Sequence, residues 1–420
     1  MRTLVVQGGR PLRGELHIHG AKNSILPILS ACILSSERNV ITRCPKLSDV
    51  TAAMEILDAI GCRGERLGEA VVVDASSASR WSIPHHLMGK MRASVTFLGA
   101  LLGRFGHGEM TYPGGCTLGK RPIDYHIAAL KTLGVTLEEE GENLKFAWHH
   151  RRGGEVFLPF PSVGATENVL MAAVTANDET VIRNAAREPE VADLCKFLCA
   201  MGAEISGIGT NTLYIRGGKT LHGTTYCVIP DRMETATYLA MTAACGGRIR
   251  LRDTDPNLLR PVLDTLRGAG CQITLGEKEI TLTQSGRLSA PRCIITAAYP
   301  GFPTDAQAPM VAALLRAQGE CTVEETVFSQ RFDHVTQLRK FGGNIRLEKN
   351  SATILGVEKL SPAHVRATDL RGGAGVLIAA LQAMGESRVD CSELLARGYA
   401  DLLGQLRRLG VEAYETLTQE

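Results

Sequence analysis

The chain has 420 residues, 44% hydrophobic and 21% charged, enough for two or three domains with cores of their own and far from the composition of a disordered polymer. Its 46 basic residues against 44 acidic ones leave a net charge of +2, which excludes a global field that recruits nucleic acid or an anionic membrane, so any anion site has to be a local cluster. Twelve cysteines lie scattered without zinc-ligand spacing, and no apolar run approaches the ~18 residues of a membrane span. The opening Met1-Arg-Thr-Leu-Val-Val-Gln reads as a strand rather than a signal peptide, so the expected setting is a reducing cytoplasm.

In chain order, one phrase recurs in which an amphipathic helix ends at a glycine and passes into a strand. It appears as LeuAspAlaIleGly61, LeuLysThrLeuGly134, LeuCysAlaMetGly202, LeuArgGlyAlaGly270, LeuArgLysPheGly342 and LeuArgArgLeuGly410, at spacings of 68 to 73 residues. A second helix precedes each phrase, beginning near Asn23, Arg92, Ala165, Asp231, Pro309 and Asp369. These helices are rich in Ala, Leu and Met on nearly every face, and a helix apolar all round belongs in a core. Alternating runs such as ThrLeuTyrIleArg216 and GluIleThrLeuThr283 read as strands, with turns at Gly276 and Glu348. The pattern predicts an α/β fold of six similar units.

Charged residues gather where the apolar helices begin: Lys22, Arg92, Asp231 with Arg232 and Glu234, Asp305, and Asp369 with Arg371. N-capping accounts for Asp231, Asp305 and Asp369 one by one. It does not account for the cations, which oppose the helix dipole and call for an anionic ligand or a buried carboxylate.

The segment from Tyr112 to Asp124 contains Cys116 among Gly114, Gly115 and Gly119, followed by Lys120 and Arg121. Glycines allow close backbone approach and the cations favour a thiolate, although the loop alone leaves a reactive and a structural thiol equally open. Cys32, Cys195, Cys199, Cys245 and Cys271 sit in apolar surroundings and read as inert packing residues. The pairs His17 and His19, and His149 and His150, read as solvated surface.

Nine segments in order resemble the UDP-N-acetylglucosamine enolpyruvyl transferases of the enolpyruvyl transferase superfamily: GlyAlaLysAsn23, MetArgAlaSer94, the Cys116 loop through Asp124, ProSerValGlyAlaThrGluAsn168, ProAspArgMetGluThr235, ProGlyPheProThrAspAlaGln307, ValPheSerGlnArgPhe332, AlaThrAspLeuArg371 and ArgGlyTyr399. The resemblance implies a two-lobed inside-out α/β barrel with three units per lobe and the active site in the cleft between lobes. It also implies two chain crossings, giving a first lobe of 1–21 plus 230–420 and a second of 22–229. The implied reaction moves the enolpyruvyl group of phosphoenolpyruvate to the 3-hydroxyl of UDP-N-acetylglucosamine, the first committed step of peptidoglycan synthesis. Cys116 matches the proton donor, which the epoxide fosfomycin alkylates. Asp305 matches the base or proton relay, and Lys22, Arg121 and Arg397 match the cations around phosphate and carboxylate. For the nucleotide sugar the resemblance carries Asn23, Arg92, Arg121, Pro122, Ile123, Asp124, Tyr125, Ser162, Val163, Gly164, Thr304, Asp305 and Val327. Arg331 and Arg371 match further cleft positions. Pro122 fits the first turn of the helix after the loop. No cofactor or metal is implied, because the leaving phosphate is already activated and nothing is oxidised; partners are the two small substrates, and the oligomeric state stays open.

Three positions depart from the family pattern. Ser48 replaces a frequent lysine, Ala396 replaces the usual aspartate before Arg397, and Gly372 with Gly373 follow Arg371, where added glycine is expected to loosen the helix start. Three rivals remain: enolpyruvylshikimate-phosphate synthase, which lacks the Cys116 loop, a non-catalytic paralogue that binds the nucleotide sugar, and a transferase acting on another nucleotide sugar.

Overall fold

All six glycines that end the recurring phrase adopt positive φ, between 83° at Gly410 and 102° at Gly202 and Gly270, a backbone state that side-chain-bearing residues rarely take. The repeat seen in the sequence is therefore a repeated stop signal. In the computed structural model, which describes residues 2–114, 123–328, 331–390 and 392–417, each stop ends an amphipathic segment. The helix Ser48–Ile60 is representative, burying Val50, Ala53, Ile56, Leu57 and Ile60 along one face.

The second kind of helix is buried nearly throughout. We number these α1 (Lys22–Ala31), α2 (Phe97–Phe105), α3 (Val163–Ala173), α4 (Arg232–Cys245), α5 (Gln307–Ala313) and α6 (Leu370–Gln382). Every residue of α5 is buried, as is every residue of α6 after Leu370. Helices α2 and α5 are each entered through a 3-10 turn, Arg92–Thr96 and Thr304–Ala306.

Among the described residues the chain divides into two compact units: one holds those through His19 and from Pro230 onward, the other those between Gly20 and Ile229. Each has three sheets and three of the buried helices. In the first unit α4, α5 and α6 pack on one another; in the second α2 packs on both α1 and α3. Five sheets have four strands and one has three, and no ring of strands closes among the described residues. With helices inside and sheets outside, the architecture is the inside-out α/β form.

The four-stranded sheets share one pairing rule. The strand that leaves a buried helix pairs in parallel with one neighbour and antiparallel with the next, as Glu179–Arg183 does with Glu155–Phe157 and Thr212–Arg216. At the two crossings the strands are exchanged. Leu12–His17 precedes α1 in sequence but pairs with Gly247–Arg252, which follows α4; Thr225–Cys227 precedes α4 but pairs with Arg38–Thr42, which follows α1. This exchange makes the first unit discontinuous.

Tight helix packing depends on Gly375, where an added Cβ would stand 2.7 Å from the Ala308 carbonyl oxygen of α5. That atom belongs to the backbone, so the change Gly375→Ala has to separate α5 from α6. We expect it to cost about 1–3 kcal/mol in urea unfolding. An unchanged midpoint would show that the two helices have slack.

Candidate active site

Because the buried helices have no free side, their N-terminal ends are where polar groups can be presented. Asp231 and Asp369 are N-caps, as capping predicts: Asp231 accepts from the amides of Met233 and Glu234 at 2.8 Å each, and Asp369 from those of Arg371 and Gly372 at 3.0 and 3.1 Å. Asp305 is different. It makes no cap; its Oδ1 accepts from Arg331 at 2.7 Å and its Oδ2 from Arg371 Nε at 3.2 Å.

Both arginines are almost wholly buried, whereas the Asp305 side chain keeps 26% of its surface accessible. Arg331 also donates to Thr304 Oγ1 at 2.8 Å, and Thr304 donates to Glu325 Oε2 at 2.8 Å. Glu325 Oε1 in turn accepts from Thr296 Oγ1 and from the amides of Val327 and Phe328. Arg371 donates to the Tyr399 hydroxyl at 3.2 Å, and that hydroxyl shares a hydrogen bond with Thr237 at 2.9 Å. Burial alone would disfavour the charge on Arg371, but Tyr399, Asp305 and Asp231 outweigh it and leave its pKa raised. The result is a carboxylate aimed by two fixed guanidinium groups.

Glu325 and Tyr399 were not among the sequence candidates. Tyr399 lies in the ArgGlyTyr segment, two residues after Arg397, but nothing local marks a tyrosine as an arginine's partner. Glu325 follows a strand and looks like ordinary surface. Its work is visible only when Thr296 and Thr304 arrive from distant segments.

The misplaced cations find partners. Lys22, the first residue of α1, lies 2.7 Å from Asp49 Oδ2 with both side chains buried, so the residue after Ser48 supplies the counter-charge. Arg92 donates to the Pro113 carbonyl at 3.3 Å. Arg232 lies over the Tyr299 ring, 5.7 Å from its centroid. Arg397 is half-buried in the turn after Ser392–Leu395, and Asn23 is exposed on the first turn of α1.

A third group surrounds His126. Its ring shares a 2.7 Å hydrogen bond with Asn168, whose amide also bonds the Gly99 N–H and the Val95 carbonyl. Gly164 lies so near that a Cβ there would stand 2.8 Å from His126 Cε1, and Ser162 caps α3 through the Ala165 amide. Gly164 is thus seated on the buried imidazole, in the first turn after the Ser162 cap. Beside it Ile123 is buried, while Asp124 and Tyr125 are exposed at the start of the helix Asp124–Thr132, with Tyr125 stacked on Phe160. Cys116, Lys120, Arg121 and Pro122 lie outside the described residues, and this helix begins at Asp124.

Two expectations need correction. His19 is not solvated surface: its Nδ1 lies 2.9 Å from the buried carboxylate of Glu234, so this histidine is tied to α4. Nor do Gly372 and Gly373 loosen α6. A Cβ on Gly372 would stand 2.6 Å from Asp369 Oδ2, and one on Gly373 would stand 2.9 Å from Ala367 Cβ, so the glycines allow close packing around the cap. Of the cysteines read as inert, burial pushes the Cys195, Cys245 and Cys271 thiols up to about 12.

This fold, with its helix-start charges, is that of the enolpyruvyl transferases. The chain superposes on the crystal structure of the enolpyruvyl transferase NikO from Streptomyces tendae with a TM-score of 0.90 and 24% identity, covering 100% of this chain and 99% of that one. It superposes on EPSP synthase from Acinetobacter baumannii with a TM-score of 0.75 and 17% identity, covering 99% and 100%. The model of the EPSP synthase (3-phosphoshikimate 1-carboxyvinyltransferase) family matches residues 6–406, and the chain belongs to that family. Among curated relatives it is 44% identical to UDP-N-acetylglucosamine 1-carboxyvinyltransferase 2 of Caldanaerobacter subterraneus subsp. tengcongensis, over 98% of this chain and 99% of the relative. It is also 44% identical to the UDP-N-acetylglucosamine 1-carboxyvinyltransferase of Saccharophagus degradans, over 98% of both.

Two measurements check this geometry. Asp49→Ala removes the carboxylate facing the buried Lys22 ammonium, and we expect a loss of about 3 kcal/mol in urea unfolding; a change under about 1 kcal/mol would show the pair to be hydrated. Burial, with Arg92 adding to it, pushes the His126 imidazole down to about 4, and burial does the same for His334. A depressed imidazole pKa leaves folding stability intact above the unfolded value of about 6.5 and removes it as pH falls toward 4. We therefore expect His126→Gln to flatten this loss by on the order of 3 kcal/mol. A parallel profile in wild type and variant would exclude a neutral, desolvated His126.

Proposed function

We propose that the protein transfers the enolpyruvyl group of phosphoenolpyruvate to the 3-hydroxyl of UDP-N-acetylglucosamine and releases phosphate, opening peptidoglycan synthesis. The observation that carries this reading is the 41–44% identity, over 98% of the chain, to several relatives all bearing the name UDP-N-acetylglucosamine 1-carboxyvinyltransferase. A cytoplasmic, reducing location belongs to the same reading, since it keeps Cys116 a thiol.

The reaction is an addition followed by an elimination. Cys116 gives a proton to the methylene carbon of phosphoenolpyruvate, which makes the neighbouring carbon electrophilic. The sugar 3-hydroxyl forms a C–O bond there as its proton passes to Asp305. The Cys116 thiolate then takes a proton back from the new methyl group, which restores the double bond and expels phosphate, and the proton held by Asp305 leaves with the phosphate. Supporting the role of Asp305 is its grip by Arg331 and Arg371, which fixes the direction from which a hydroxyl is met. Lys22, Arg121 and Arg397 serve the phosphate and carboxylate of phosphoenolpyruvate, with fixed charge in place of mobile water. Lys22 starts from a buried pair with Asp49, so an incoming phosphate shares this ammonium with a carboxylate. Asn23, Arg92, Pro122, Ile123, Asp124, Tyr125, Ser162, Val163, Gly164, Thr304 and Val327 hold the nucleotide sugar in this reading. The seat that His126 gives to Gly164 supports a rigid surface for it.

The test is phosphate release from phosphoenolpyruvate with UDP-N-acetylglucosamine or shikimate 3-phosphate as acceptor. We expect release with the nucleotide sugar alone, and a fall of about 100-fold or more in both Cys116→Ala and Asp305→Ala. Release only with shikimate 3-phosphate would replace the acceptor, and near-normal turnover in either variant would remove that residue from the mechanism.

A further inference from the structure

The end of α4 remote from Asp231 opens on a cavity of about 760 Å³, lined by Arg13, Arg248, Arg287 and Arg316 without any carboxylate. At ~1.5 Å per residue the 14-residue helix puts it roughly 20 Å from the helix start. Two of these arginines have structural work. Arg287 donates to the carbonyls of Arg316, Ala317 and Val357, and Arg316 to that of Glu358, so they tie down backbone while keeping their charges.

Arg13 and Arg248 have no such employment. They sit opposite each other on parallel strands, like charges side by side, and among the described residues neither guanidinium has an acceptor or a carboxylate partner. The rest of this sheet face is neutralised. Arg250 lies 2.6 Å from Glu279 and 3.6 Å from Glu15, and Arg252 lies 2.9 Å from Glu15. The unpaired row is the one that borders the cavity. Gln284, also in the cavity wall, alternates to the buried face of the sheet and donates to the Ser285 carbonyl, so the cavity is left to the arginines.

We propose that this cavity is a second anion site, distinct from the Asp305 and Lys22 groups, for a small phosphate or diphosphate ester. Paired guanidinium groups match phosphate oxygens, and the volume falls in the range of about 300–1,000 Å³ used by small-molecule sites. Glu15 and Glu279 on the adjoining rows break the basic surface that a polyanionic macromolecule would need.

Calorimetric titration with inorganic pyrophosphate tests this on the full chain, independently of turnover. Compared with wild type, the variant Arg13→Ser/Arg248→Ser should bind pyrophosphate at least tenfold more weakly while phosphate release from phosphoenolpyruvate stays within twofold. Thr283→Glu places a carboxylate in register with Arg248 and should raise Tm while abolishing the pyrophosphate response, and it carries the test where the double variant does not fold. Equal affinity in all three proteins would put pyrophosphate elsewhere and overturn the proposal. Binding no tighter than that of chloride, or a preference for anionic phospholipid vesicles over pyrophosphate, would overturn it as well.

Discussion

Helices with no polar side are the constraint on which this molecule is built. An α-helix that is apolar all round has to be covered on every side, and here sheets and sister helices do the covering. Polar groups on the flanks, such as Asn168 and Thr237, are held in hydrogen bonds, and the cations of α1, α4 and α6 gather at the N-terminal ends. The N-terminal ends of α1, α4, α5 and α6 carry Lys22, Asp231 with Arg232, Asp305 and Arg371, all at positions where free amides and a partial positive charge already exist. Fold and chemistry share one cause.

Desolvation sharpens the consequence. A charge at the mouth of a packed helix either finds a partner or pays a penalty of several kcal/mol. Lys22 meets Asp49, and Arg371 meets Asp305 with support from Tyr399. The Asp305 network resists rearrangement, because Asp305, Arg331 and Arg371 each hold two partners. That rigidity suits a reaction in which charge develops on phosphate and on a sugar oxygen, since dipoles fixed in advance need no reorganisation. The Arg13 and Arg248 row is the contrast: there like charges adjoin without a carboxylate, at a cavity rather than in a packed interior.

Much was legible in the chain. The glycine phrase marks six units, because a left-handed stop needs glycine and a buried helix needs apolar residues on every face. The same local logic identified Asp231 and Asp369 as caps. It ranked Asp305 with them, which the tertiary arrangement reverses, since capping depends on neighbours in sequence whereas Arg331 and Arg371 come from 26 and 66 residues away.

Local sequence, then, determined what each unit is: where its helices start, stop and bury, and which family it belongs to. These follow from backbone conformation and hydrophobic burial, which are read within a few residues. Only the tertiary structure decided which strand pairs with which, and so that Leu12–His17 and Thr225–Cys227 trade places between the two units. It also decided which carboxylate answers which cation. Strands of one repeat carry nearly the same alternation as those of another, and one aspartate at a helix start resembles the next, so the choice rests on long-range packing that no local pattern encodes.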